Sequence, residues 1–274
     1  KAMIVDTPLG QFVLKKGNNN KIYKYLSSRN FEYFPKLIDS DEEETIYEYI
    51  EDINYDDSQR AFDIIHVIAL LHSKTTYYKE VDYDEYKTIY EETINKIDYI
   101  YNYYLDIINV IESKIYMSPS EYLIARNISK IFSCIYFCKN EMESWYELVK
   151  TKKRKRVVTL HNNLKLDNLI KNKQTFLISW DKSKIDMPIY DIVNFYNRYA
   201  LDFDFKGLLS EYERIFPLLE DEKKLLSVLI SIPEKIINTK SEYEMVKSVR
   251  HLLDKIYKTE ILLTPEEEEK TKST

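Results

Sequence analysis

The sequence predicts an α+β protein of two lobes: a small β-rich lobe at the N-terminus, then a larger, mainly helical one. Three observations carry this. Short strand-like runs crowd the first fifty residues, and the hydrophobic period turns helical shortly after residue 58. A strand–loop–strand segment at about 157–181 then interrupts the helical pattern. With 274 residues the chain is long for one core and suits two lobes sharing a cleft.

Residues 2–16 read as a hairpin, with Met3-Ile4-Val5 and Phe12-Val13-Leu14 as strands and Pro8-Leu9-Gly10 as the turn. After Gly17-Asn18-Asn19-Asn20 the spacing of Ile22, Tyr25 and Leu26 predicts a short helix over 21–29. Two further strands, 33–38 and 45–51, are joined by the acidic turn Asp39–Glu44, and this completes an N-lobe of residues 1–51. Residues 52–58 are polar and read as a linker into the C-lobe of residues 52–263. Ala61, Ile64, Ile65, Ile68, Leu71 and His72 share one helical face, with Ser58 as the candidate N-cap. A long helix follows over 83–114, striped by Tyr86, Tyr90, Ile94, Ile97, Tyr101 and Tyr104, and Ser118-Pro119 opens another over 119–149. The basic run at 150–156 reads as a solvated loop. Val157–Leu160 and Phe176–Ile178 read as buried strands, residues 189–262 as helical, and Thr264–Thr274 as a charged tail.

Composition excludes several classes. Hydrophobic residues make up 44% and charged residues 31%, as in ordinary soluble globular chains. No apolar run reaches the ~18 residues of a membrane span, so no membrane partner is expected. The sequence opens at Lys1 without a basic and apolar leader, so no secretory signal is expected and the chain reads as cytoplasmic. A formal net charge of -6 argues against a nucleic-acid partner. Cys134 and Cys138 lie one helical turn apart in an apolar stretch and read as small core hydrophobes. The three glycines, Gly10, Gly17 and Gly207, are too dispersed to form a phosphate-cradling loop.

The chemistry concentrates in His161-Asn162-Asn163-Leu164-Lys165-Leu166-Asp167-Asn168, leaving one strand, with Asp181 past the next strand and Asp191 in Pro188-Ile189-Tyr190-Asp191. Phosphoryl transfer calls for such an order. A loop residue orients the attacking hydroxyl, an asparagine five positions on reaches a metal, and a carboxylate on the following hairpin strand completes the metal site.

On these residues the chain resembles the aminoglycoside phosphotransferase and choline kinase superfamily, whose loop reads His-Gly-Asp-x-x-x-x-Asn followed by Ile-Asp-Trp-Asp or a close variant. Within it the chain is most similar to the spore-coat protein S family, through Leu14-Lys15, Ala69-Leu70-Leu71-His72, Leu208–Tyr212, Pro217-Leu218 and Pro233. The similarity covers about residues 2–237 and is most specific over 157–198. It implies a two-lobed protein-kinase-like fold. It implies that Lys15 meets the nucleotide phosphates, that the backbone around Glu48 and Ile50 meets adenine, and that Asn168 and Asp181 hold Mg²⁺. His161 and Asp191 would brace the loop, and Asn163 stands where the family has its catalytic aspartate.

Three departures bear on function. Asn163 cannot take a proton, and loss of a general base costs ~10²–10⁴-fold in rate. No glycine-rich loop is visible. No acidic residue lies between Lys16 and Arg29 to pair with Lys15. The resemblance therefore implies a catalytically impaired pseudokinase, binding or structural in role, with protein partners in a spore-coat-type assembly. An active ATP-dependent phosphotransferase acting on an amino sugar, choline-like or sugar-alcohol hydroxyl is the alternative, and a scaffold with an empty cleft is the third reading. Mg²⁺ and ATP are the implied cofactors where nucleotide binding is retained. His161 and His72 read as structural histidines, and His66 and His251 carry no assigned role.

Overall fold

A computed structural model of the chain describes residues 2–8, 10–17, 20–41, 43–237 and 241–264. In chain order the first elements are β1 (Ala2–Thr7), β2 (Gly10–Lys16), α1 (Asn20–Ser28), β3 (Leu37–Ser40), β4 (Glu44–Glu48) and α2 (Asp57–Thr75). Then come β5 (Tyr77–Glu80), α3 (Tyr83–Glu112), α4 (Pro119–Val149), β6 (Arg154–Leu160), β7 (Leu169–Lys171) and β8 (Thr175–Leu177). The last are β9 (Lys184–Asp186), α5 (Ile189–Tyr199), α6 (Phe205–Ile215), α7 (Glu220–Ser231) and α8 (Glu242–Leu263). A small sheet region at the N-terminus and a mainly helical remainder make the chain α+β. No helix among the described residues is long and apolar enough to cross a membrane.

Packing groups the chain into two compact units. One comprises Lys1–Lys79, Arg156–Phe195 and Phe203–Leu218, and the other Glu80–Lys155, Tyr196–Asp202 and Leu219–Thr274. Every residue singled out above for chemistry belongs to the first unit.

In the first unit β1 and β2 form an antiparallel hairpin from Ala2↔Lys15 to Thr7↔Gly10. Leu9 of its expected turn lies outside the described residues, as do Asn18, Asn19, Glu42 and residues 265–274 of the expected tail. The sheet order is β1-β2-β4-β3. Amphipathic α1 buries Tyr23 and Leu26, and the Tyr23 ring meets Phe34 at 4.7 Å and Tyr47 at 5.5 Å.

Several boundaries differ from expectation. The strand expected over 33–38 forms only at Leu37–Ser40. Pro35 has no N–H to give a ladder, and Phe31 is wholly buried just ahead of it, so residues 31–36 run irregularly. The strand expected over 45–51 spans Glu44–Glu48. Asp56, not Ser58, caps α2, its carboxylate accepting from Ser58 N at 2.9 Å and Gln59 N at 3.2 Å. A carboxylate adds favourable charge at a helix N-terminus, which a serine hydroxyl does not.

The stretch expected to be a linker is instead clamped. Ile53 N donates to Lys171 O at 2.8 Å, and the Asp52 carboxylate accepts from Lys171 N at 2.8 Å. Arg60, 8% exposed, reaches Asp52 at 3.0 Å and the Leu169 carbonyl at 2.7 Å, so the first turn of α2 is tied to the β7–β8 hairpin.

The second unit is built on α3 and α4, two long helices joined by a short turn. Ser118 and Glu121 form a complete capping box, with Pro119 in the first turn of α4. The tyrosine stripe of α3 serves packing, with Tyr86 and Tyr104 buried and Tyr86 edge-on to Trp145 at 5.9 Å. The basic run is not simply a loop. Arg154–Arg156 open β6, and buried Lys155 pairs with Glu85. The two cysteines are free, and Cys138 is fully buried against α7.

If the Arg60 clamp holds the hairpin to α2, Arg60→Leu takes the guanidinium donor from the Leu169 carbonyl and the charge partner from the exposed Asp52. Urea unfolding should then show a loss of about 2 kcal/mol at unchanged m-value. A loss within a few tenths of a kcal/mol would show the clamp to be incidental.

Candidate active site

Strand β6 delivers its last residues into a loop that is fixed from one side by α5. Asp191, in the first turn of α5, has 0% exposure. Its carboxylate accepts from the backbone N–H of His161 at 2.8 Å and of Asn162 at 2.7 Å. His72 Nε2 makes a third, longer contact with it at 3.3 Å, and His72 Nδ1 faces the Tyr212 hydroxyl at 2.6 Å. A buried carboxylate needs such donors, since an unpaired one would be too costly to keep ionised. The carboxylate facing Nε2 makes that nitrogen the donor, so Nδ1 accepts from Tyr212.

The loop itself is bent. Asn162 adopts a left-handed conformation at φ 56°. Asparagine is among the non-glycine side chains that tolerate this region best. Its amide also donates to Lys182 O at 3.1 Å, and its carbonyl oxygen accepts from Asn194 at 3.2 Å. Leu164 anchors the loop in the core, and the Asn168 amide donates to Asn163 O at 2.7 Å, closing the loop on itself. Asn163 is half-buried and Asp167 exposed.

The hairpin β7–β8 returns the chain to the loop. It pairs Leu169↔Leu177, and Ile178 N donates to Asn168 O at 2.9 Å. Ser179 then turns left-handed at φ 67°, and a single 3₁₀ turn, Trp180–Lys182, presents Asp181. Trp180 is buried, its indole N–H bonded to Leu177 O at 2.9 Å, with its ring edge-on to His161 at 4.7 Å. This packing makes His161 a wholly buried residue. Burial is the main cause that holds its pKa below the ordinary histidine value, against the opposing pull of the Asp191 charge. Its Nε2 lies 2.9 Å from the Ile178 carbonyl and so carries the proton, while Nδ1 has no hydrogen-bond partner among the described residues.

Lys15, on β2, meets Asp181 directly, Nζ to Oδ2 at 2.5 Å. The lysine side chain is 19% exposed and the carboxylate 47%. With no acid on α1, Asp181 supplies the charge partner that the stretch after Lys15 lacks. Glu48 ends β4, where its N–H donates to Lys36 O at 3.1 Å and its carboxylate accepts from Lys36 N at 2.7 Å. Ile50 follows the strand, partly exposed.

Thus the structure brings Lys15 to Asp181, Asn168 to Asn163, and Asp191 to His161. Sequence reasoning missed the supporting roles of His72, Tyr212, Asp52 and Arg60. For His72 a signal existed in its place on the buried stripe of α2, where a polar residue requires a partner. Among the described residues no group of three or more His, Cys, Asp or Glu could hold a metal by themselves. Asn168 and Asp181 offer hard oxygen donors, which suits Mg²⁺, an ion that takes one or two protein ligands and fills its shell with water and phosphate.

No family model matches the chain, and no curated protein matches it. Solved structures do. An aminoglycoside phosphotransferase from Alicyclobacillus acidocaldarius superposes with a TM-score of 0.66 at 9% identity, covering 95% of this chain and 89% of that one. The AMP-bound spectinomycin phosphotransferase APH(9)-Ia superposes with a TM-score of 0.53 at 13% identity, covering 97% and 91%. The chain therefore has the kinase-like fold of the aminoglycoside phosphotransferases.

The His161 environment yields a pH signature. Its folded pKa lies below its unfolded value of about 6.5. Below that pH the unfolded chain binds a proton that the folded chain resists, so stability falls as pH falls. Urea unfolding at pH 7.5 and 5.5 should show a smaller loss on acidification for His161→Gln than for wild type. Equal losses would place His161 in a solvated setting.

Proposed function

We propose that this chain binds Mg²⁺-ATP and transfers phosphoryl groups only weakly. The observation that carries the reading is the Lys15–Asp181 pair, set beside a loop whose catalytic position holds the neutral Asn163. Residues 1–51 supply the nucleotide side, with Lys15 on the phosphates and the backbone near Glu48 and Ile50 on adenine. Residues 52–263 supply the loop and the acceptor side, and 264–274 a charged tail. Asn168 and Asp181 would hold Mg²⁺, which neutralises charge on the transferring phosphates when bound. His161 and Asp191 fix the loop and touch no substrate. The AMP held by the structurally similar spectinomycin phosphotransferase supports a nucleotide here.

Asn163 can orient an acceptor hydroxyl by hydrogen bonding but cannot accept its proton. In a loose transition state positioning retains value, so activity is reduced rather than abolished. The sequence resemblance to spore-coat protein S supports a binding or structural role in a protein assembly, in the cytoplasm or on a spore coat. The survival of Asn168 and Asp181 favours a second reading, an active phosphotransferase for an amino sugar, choline-like or sugar-alcohol hydroxyl.

Calorimetric titration with Mg²⁺-ATP should give saturable one-site binding that Asp181→Ala removes. Against a panel of hydroxylated small molecules, Asn163→Asp should raise kcat on the order of 100-fold with little change in ATP affinity. Wild-type turnover at ordinary kinase rates, lost in Asp181→Ala, would favour the second reading. Absence of nucleotide binding would leave the scaffold.

A further inference from the structure

Alongside α1, and apart from the Lys15–Asp181 pair, lies a groove of about 400 Å³, within the range of small-ligand sites. Lys21, Ile22 and Tyr25 of α1 form one wall, and Ser183, Lys184 and Ile185 form the other. Thr159 of β6 also lines the groove. Three features of this groove have no use in phosphoryl transfer.

The first is charge. From residue 16 to residue 29 the chain carries Lys16, Lys21, Lys24 and Arg29 and no acid, in a protein whose net charge is -6. The first turn of α1 has no acidic side chain to complement the positive end of its dipole. Lys184, on the opposite wall, pairs with Asp186 at 3.0 Å and stands 5.5 Å from the Tyr190 ring, and Arg29 lies 5.5 Å from the Tyr25 ring. Basic side chains thus stand on both rims. The second is an apolar surface open to water: Ile185 is 54% exposed on a strand, beside the half-buried Ile22 and Tyr25. The third is Thr159. It is 2% exposed, and its hydroxyl has no hydrogen-bond partner among the described residues. A buried hydroxyl without a partner costs folding free energy, and a turn of the Thr159 side chain toward the groove would let a ligand oxygen recover it.

We propose that this groove binds a small amphipathic anion, an aromatic or short-chain acyl carboxylate. Its carboxylate is held between Lys21 and Lys184, its apolar body lies on Ile22, Tyr25 and Ile185, and a carboxylate oxygen accepts from Thr159. The site does not depend on nucleotide binding. It adjoins the residues that follow Asp181 directly in the chain, so an occupant would sit next to the segment that presents that carboxylate.

The test is calorimetric titration of the full chain, without nucleotide, using 2-naphthoate, with 2-naphthalenemethanol and 2-naphthylmethylamine as uncharged and cationic counterparts. One saturable site is expected for the carboxylate, at least about tenfold tighter than for either counterpart. Lys21→Glu places an acid in the first turn of α1, which the helix tolerates, and Thr159→Val removes the unpartnered hydroxyl at constant shape. Each should weaken 2-naphthoate about fivefold or more without lowering Tm. No saturable binding, equal affinity for the alcohol, or unchanged affinity in either variant would overturn the assignment.

Discussion

The buried carboxylate of Asp191 is the constraint on which the candidate site depends. It has no exposure, yet it sits at the meeting point of three elements: the end of β6, the face of α2 and the first turn of α5. Two backbone amides and one imidazole converge on it. A carboxylate in that position cannot be left with fewer donors without a large desolvation penalty, so the loop is obliged to keep its N–H groups turned inward. That obligation explains the left-handed Asn162, because the chain must reverse direction immediately after donating two successive amides to one side chain.

The rest of the site follows outward from this point. With residues 161 and 162 fixed, Leu164 enters the core and Asn168 closes the loop on Asn163. The hairpin β7–β8 then carries the chain back, and a second left-handed residue, Ser179, turns Trp180 in against His161 and leaves Asp181 outside to meet Lys15. Two bends at non-glycine residues, each costing on the order of 1 kcal/mol or more, persist because buried His161 and buried Trp180 hold the chain beside them.

Much of this was legible in the sequence. The helical stripe of α2 and the Ser118-Pro119 start of α4 are local patterns, and the sequence alone located both. What escaped was non-local. Residues 52–58 look like a linker because they are polar, but the polarity of Asp52 serves the clamp with Arg60 and with Lys171, more than a hundred positions away for the last. His72 reads as a packed helix residue until Asp191 and Tyr212 are beside it. The absence of an acid on α1 suggested an unpartnered Lys15, and only the fold shows Asp181 filling that place. Short strands such as β7 and β9, three residues each, leave too little periodic signal to be found in advance.

The most direct measurement is amide hydrogen exchange at His161 and Asn162 in wild type and in Asp191→Asn, with α2 core amides as the internal reference for global opening. Both loop amides should lose protection on the order of 100-fold relative to that reference, because an amide side chain cannot accept from both while also facing His72. Unchanged protection at 161 and 162 would mean that the loop holds its shape without the Asp191 carboxylate, which would contradict its part as the organising constraint of the site.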